Sequence, residues 1–399
     1  MKHTSPYAPG DKYVPVADGL RAIFIFIVAW YHIWQQSWLS PNLTIGTFTL
    51  DIYPLIRTGY MWVDGMLLLS GFLTFLPYAR AMLGKKPLPD AATFYKKRAA
   101  RILPAYLFCV LLLLFCDALP NHMYSSPKWL WTDLLSHLTF THTFFSFSYF
   151  NTCLNVVLWT LAVEVQFYLI FPLLAKAFTR KPAATFAGMV AAAWLYRGYV
   201  TLFVASNNIW INQLIAFMDI YALGFLGAWI YVQMARSIKP NFAIQILMTA
   251  MSVVCLYVLW QLVLRQCYVS GYEALRTMQM RNRFALGAVI TLFLLCASYS
   301  VTALRWLLSN RVMRFLAGIS FQFYIWHQYL AVLLRRLNIP YSASALPNQD
   351  GEILWQWKYT LLAFGVAFIA ATACTYLIER PAQKLILKIP TGTQKEGRI

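Results

Sequence analysis

Apolar stretches of roughly 18 to 23 residues recur along this chain, each long enough to cross a ~30 Å hydrocarbon core as a helix. They fall at 22–39, 59–79, 102–119, 156–176, 184–205, 212–233, 242–264, 285–304, 315–334 and 357–378. Few folds accommodate such a repeat. In lipid every backbone N–H and C=O must be satisfied inside the protein, which leaves helices or closed barrels. Only 12% of the residues are charged, against about 25% for a soluble domain. A soluble fold would therefore lack groups to cover its surface. The expected fold is an all-α integral membrane bundle of about ten transmembrane helices in a lipid bilayer.

The net charge of +19 invites a nucleic-acid reading, and its distribution argues against one. With an even number of spans and a cytoplasmic N-terminus, roughly 22 of the 33 Lys and Arg residues fall on one side. Lys85, Lys86, Lys96, Lys97, Arg98 and Arg101 are the densest group. This is the positive-inside bias, and it predicts that both termini are cytoplasmic. No nucleic-acid partner is expected. One segment resists the pattern, because Arg265, Arg276, Arg281 and Arg283 would lie outside. The first stretch lacks a small-residue cleavage site and carries Tyr31, His32 and Gln35, so it reads as a retained span rather than a signal peptide. The chain divides into a cytoplasmic segment 1–16, a membrane domain 17–388 and a polar cytoplasmic tail 389–399, with no internal repeat. Of the seven cysteines, only Cys153 and Cys267 are placed for an extracytoplasmic bond.

Ionisable groups inside a membrane are costly and mark sites or pairing networks. In the first span Arg21 and His32 are eleven residues apart, about three helical turns, so they share a face with ~16 Å of rise between them. Asp18 can pair with Arg21 at i,i+3. Glu164 falls near the middle of the fourth span and needs a partner, either His32 or an arginine. Arg98 and Arg101, at i,i+3 before the third span, either anchor the helix at the positive side or hold a phosphate-bearing ligand with forked donors. Asp64 and Gly71 share a face suited to small-residue helix packing around one hydrogen-bonded acid. His327 sits in an aromatic setting and suggests packing or support of a neighbouring site. The Glu379–Arg380–Pro381 run reads as a helix stop. His122, His137 and His142 are poorly spaced for a metal, and no metal site is expected.

Six segments, ADGLRAIFIFIVAWYH, WVDGMLLLSGFL, FYKKRAARILPAY, LWTLAVEVQFYLIFPLL, ISFQFYIWH and YLIERP, in this order from residue 17 to residue 381, resemble the acyltransferase-3 family of membrane acyltransferases. The resemblance implies about ten spans and acylation of envelope or secreted carbohydrates, usually with acetyl-CoA. It implies that Arg21 and His32 are the paired catalytic elements of the first helix. It further implies that Arg98 and Arg101 serve the donor site and that Glu164 belongs to the active centre. The expected function is thus an O-acetyltransferase in the plasma membrane of a bacterium, moving an acyl group from acetyl-CoA to a carbohydrate or glycolipid hydroxyl. His32 would be the general base, with Glu164 orienting it. The chain departs from the family where Val165 follows Glu164 in place of a second acid, and where Gly65 and Met66 follow Asp64. It also leaves no room for the esterase-like domain of some relatives, so transfer directly to the acceptor or to a separate protein is expected. The rival reading is a transporter or flippase of a small polar solute or glycolipid, which would favour interrupted helices and paired repeats.

Overall fold

The computed structural model describes residues 13–45, 48–204 and 209–389. Segments 1–12 and 390–399, which hold most of the expected N-terminal segment and tail, lie outside the described residues. Apart from a short antiparallel ribbon pairing Asn42–Ile45 with Phe48–Asp51, the described chain is helical. Its long helices are α1 (Pro15–Ser37), α2 (Trp62–Gly84), α3 (Ala91–Leu113), α4 (Trp159–Arg180), α5 (Pro182–Phe203), α6 (Met218–Ser237), α7 (Phe242–Cys267), α8 (Tyr272–Tyr299), α9 (Arg311–Arg336) and α10 (Ile353–Cys374).

Eight of these helical segments are long and apolar enough to cross a membrane. The other two, α5 with 22 residues and α9 with 26, overlap the expected spans 184–205 and 315–334. Their composition is more polar: Arg197 interrupts α5, and α9 carries Arg311, Arg314, Gln322, His327, Arg335 and Arg336.

Side chains set three of the helix starts. Asp90, Asn241 and Asn310 accept hydrogen bonds from the backbone N–H of Thr93 (2.8 Å), Ile244 (2.9 Å) and Met313 (3.0 Å), opening α3, α7 and α9. The Thr93 N–H holds the Asp90 carboxyl below its usual pKa. Within the bundle α2 and α6 approach at backbone distance. A Cβ on Gly224 would lie 2.6 Å from the Leu68 carbonyl oxygen and 2.7 Å from the Phe72 nitrogen. Gly71 faces Tyr221 across the same seam, so the small-residue packing expected around Asp64 is present.

The arginines that resisted the positive-inside pattern belong to helices, not to an outer loop: α8 begins thirteen residues before the expected 285. Arg283 is fully buried and pairs with Asp64 at 3.3 Å. Its Nη1 also donates to the carbonyls of Ile211 (3.1 Å) and Ala216 (3.2 Å). Arg197 donates to the same Ala216 carbonyl at 2.8 Å and pairs with Asp219 at 2.5 Å. A charge paired this way does not need water, and so it does not end a span.

The helix stop expected at Glu379–Arg380–Pro381 is not a stop. Beyond Cys374 the chain passes through a π-helical turn, Thr375–Glu379, and continues as a helix over Arg380–Lys388. Pro381 lies in the first turn of that continuation, where its missing N–H costs no hydrogen bond. Glu379 accepts from Gln322 at 3.1 Å, while the Arg380 guanidinium lies over the Tyr376 ring.

The segment after α3 carries a helix, Pro127–Leu138, with inverted amphipathicity. Asp133, Ser136 and His137 face inward and are buried, while Trp131, Leu135 and Leu138 face outward and are exposed. Asp133 ties the segment together, accepting from Tyr124 (2.9 Å), Thr152 (2.9 Å) and the Cys153 N–H (3.1 Å). The His137 and His142 rings stack 4.0 Å apart and nearly parallel. All seven cysteines, Cys153 and Cys267 among them, are free thiols.

Candidate functional site

The site is assembled from helix faces. On α4, Thr160, Glu164 and Tyr168 recur at i,i+4 and therefore stack on one side. That side meets Ser70 of α2. Ser70 donates to a Glu164 carboxylate oxygen at 2.5 Å, and its Oγ lies 2.9 Å from the Tyr168 hydroxyl oxygen. Tyr168 donates to the same Glu164 oxygen. One carboxylate is thus held by two hydroxyls.

These groups line a cavity of about 140 Å³ together with Arg21, Arg98 and Arg101. A single water needs roughly 10–15 Å³ by this kind of measure, so the space admits a narrow chain of atoms. Arg21 pairs with Asp18 at 3.4 Å, as the i,i+3 spacing predicts. Arg98 packs 5.6 Å from the Tyr168 ring centre, and its buried Nε has no hydrogen-bond partner. None of the three arginines forms a salt bridge with Glu164. Tyr324 of α9 also lines the cavity, and its hydroxyl accepts from Thr160 at 2.8 Å.

Four of the residues singled out in the sequence, Arg21, Arg98, Arg101 and Glu164, therefore surround one cavity. His32 does not join them. It lies three turns further along the α1 stripe, ~16 Å from Arg21 by helical rise. The expected contact between Glu164 and His32 is absent. The carboxylate is occupied by Ser70 and Tyr168, and the polar ring beside His32 is His327, 5.2 Å away centre to centre. Tyr324 links the two places, because its side chain lines the cavity while its carbonyl accepts from His327 Nδ1 at 2.7 Å.

A basic cavity thus sits at one end of the α1 stripe and the His32–His327 ring pair further along it. A family model for the acyltransferase-3 type of acyltransferase domain matches residues 15–380, spanning every residue of that arrangement. The chain belongs to the acyltransferase-3 family. Peptidoglycan O-acetyltransferase OatA of Listeria monocytogenes is 23% identical to it over 96% of this chain and 58% of the relative. Putative peptidoglycan O-acetyltransferase YrhL of Bacillus subtilis is 24% identical over 93% of this chain and 55% of the relative. O-acetyltransferase OatA of Staphylococcus aureus is 30% identical over 42% of this chain and 25% of the relative. The chain thus spans less than two thirds of the length of these relatives. No solved structure matches it.

In this acyltransferase-3 chain Tyr168 and Tyr324 escaped the sequence reading as members of the cavity. Tyr168 carried a usable signal, its i,i+4 spacing from Glu164 within one helix. Tyr324 carried none, since the fold alone brings α9 against α4.

Proposed function

We propose that this chain is a membrane O-acyltransferase that moves an acetyl group from acetyl-CoA to a hydroxyl of a cell-envelope glycan. In this reading the bundle crosses a bacterial plasma membrane ten times, with both termini cytoplasmic. The observation that carries it is the set of three arginines around one cavity, with donor groups not taken up by the adjacent carboxylate. Forked guanidinium donors match phosphate oxygens, and the nucleotide end of CoA carries several. Arg98, Arg101 and Arg21 hold that end at the rim, and the acyl-bearing arm extends along the α1 stripe to His32. There neutral His32 takes the proton of the acceptor hydroxyl as the oxygen attacks the thioester carbon. The ester bond forms as the C–S bond breaks, and the proton passes to the leaving thiolate. Glu164, fixed by Ser70 and Tyr168, balances the arginine charge without competing for their donors. The names of the relatives point to peptidoglycan as the first acceptor to try.

The test is release of free CoA by the purified protein in detergent, with acetyl-CoA as donor and soluble peptidoglycan fragments as acceptor. Charge-assisted hydrogen bonds contribute about 1.5–3 kcal/mol each, so Arg98→Ala and Arg101→Ala should each raise KM for acetyl-CoA roughly 10- to 100-fold. His32→Ala should bind acetyl-CoA and lose turnover. Unchanged KM in the Arg98→Ala/Arg101→Ala variant, or full turnover in His32→Ala, would refute the assignment. Transport of a polar solute without acyl transfer would favour the transporter reading instead.

A further inference from the structure

His32 and His327 meet where α1 packs on α9, with ring centres 5.2 Å apart and planes inclined at 54°. His327 is fully buried. Its Nδ1 lies 2.7 Å from the Tyr324 carbonyl oxygen and 3.2 Å from that of Phe323. Carbonyl oxygens only accept, so Nδ1 carries the hydrogen, and the neutral ring presents a bare lone pair at Nε2. That Nε2 is buried without a hydrogen-bond partner. His32 is the complement: its Nδ1 is also buried and also lacks a partner.

No carboxylate serves either ring. Glu164 is held by Ser70 and Tyr168, and Asp64 is paired with Arg283. Gln35, one turn beyond His32, is exposed, and its amide donates to the Tyr31 hydroxyl at 3.0 Å. Within the interior, the His327 ring, 5.2 Å away centre to centre, offers that nitrogen a lone pair of opposite need.

We propose that His327 is a positioning residue for His32. Its Nε2 accepts the His32 Nδ1–H and so selects the tautomer that leaves His32 Nε2 bare. This deepens the reading of His32 as general base and rests on it. An unpaired buried polar group costs about 1–3 kcal/mol, and the two orphans relieve each other once the broad ring torsion of His32 turns its N–H toward His327. The dyad does the work a carboxylate does beside other catalytic histidines. It does so without a permanent charge in the hydrocarbon region, where a lone carboxylate is costly. During transfer the hydroxyl proton goes to His32 Nε2 and then to the CoA thiolate. The Nδ1–H stays in place, and its positive charge is shared with His327 while the imidazolium lasts. His327 is held to the main chain of α9, so it gives His32 a fixed reference.

Two substitutions separate this role from a merely structural one. Asn at 327 keeps a donor near the Nδ1 position, satisfying the two carbonyls, and offers nothing at Nε2. Gln keeps an acceptor near the Nε2 position. In the acetyl-CoA and peptidoglycan-fragment assay, His327→Asn should lose ~10²-fold or more in kcat with KM for acetyl-CoA unchanged. His327→Gln should stay within roughly tenfold of the wild type. A structural role predicts the reverse order, and Asn performing as well as Gln would overturn the proposal. A second measurement needs no variant at 327. Nitrogen-15 spectra of histidine-labelled wild type, with His32 assigned by its loss in His32→Ala, should show Nδ1 protonated and Nε2 bare at neutral pH. The opposite tautomer would overturn it independently. Full turnover in His32→Ala would sink the underlying reading. An inactive His32→Ala beside a fully active His327→Asn would sink only the dyad.

Discussion

Removing Asp64 tests whether the α2–α8 ion pair holds the bundle together. Arg283 is 0% exposed, so Asp64→Ala leaves a guanidinium buried with its countercharge gone. Breaking a buried pair from one side costs about 3–5 kcal/mol. The low end applies here, because Arg283 keeps the Ile211 and Ala216 carbonyls and lies 3.9 Å over the Phe217 ring. With an unfolding entropy of ~2.1 cal/mol/K per residue over 399 residues, a loss of about 3 kcal/mol lowers the apparent Tm by roughly 4 °C. Arg283→Met strands the carboxylate instead and should cost a similar amount. The double variant Asp64→Ala/Arg283→Met strands neither charge, so its loss should fall short of the summed single losses by about 2 kcal/mol, within the range for contacting residues. The assay is denaturant and thermal unfolding of all four proteins in one detergent. Additivity within ~0.5 kcal/mol would show that the two charges do not depend on each other, and the account of α8 given above would fail.

Two further outcomes follow from packing and burial. Gly224→Ala puts a methyl 2.6 Å from a backbone oxygen of α2, which overpacking data place at about 1–3 kcal/mol of lost stability; an unchanged unfolding midpoint would mean that the seam opens without cost. His142, in the segment between α3 and α4, is held well below the ordinary histidine pKa by burial and then by neighbouring His137. The unfolded state therefore takes up the proton first. Local stability is fully present above the ordinary value of about 6.5 and is lost below it at about 1.4 kcal/mol per pH unit. Hydrogen exchange of segment 120–155, corrected for intrinsic rates, should accelerate between pH 7 and pH 5, and His142→Phe should remove most of that dependence. Equal protection at both pH values would contradict the burial argument.

The helical membrane class was legible because hydrocarbon thickness imposes a length, and no partner is needed to read it. Boundaries were legible only where composition changes at the bilayer edge. At α8 it does not: Arg276, Arg281 and Arg283 resemble a loop until Asp64, 219 positions earlier than Arg283, supplies the countercharge. The continuation past Pro381 was hidden for a similar reason, since a π-helical turn makes room for proline and leaves no compositional trace. In the candidate site, helix periodicity correctly aligned Arg21 with His32. It could not tell which neighbour each would meet, because the faces presented by α2, α4 and α9 depend on how the bundle packs. The partner expected for Glu164, His32 or an arginine, gave way to Ser70 and Tyr168, and the aromatic setting read around His327 did not reveal that the His32 ring stands beside it.

Under the proposed function, the spacing along α1 bears on which donors could react. Arg21 and His32 ride on one unbroken helix, so the ~16 Å between them cannot stretch or shrink with the ligand. A rigid ruler of this kind selects by reach. Under the proposed function, a donor anchored at the arginine rim would bring its carbonyl to the imidazole only when its tether matches the helix, so a molecule with the right reactive group on too short an arm would fall short before any side chain examines the group itself.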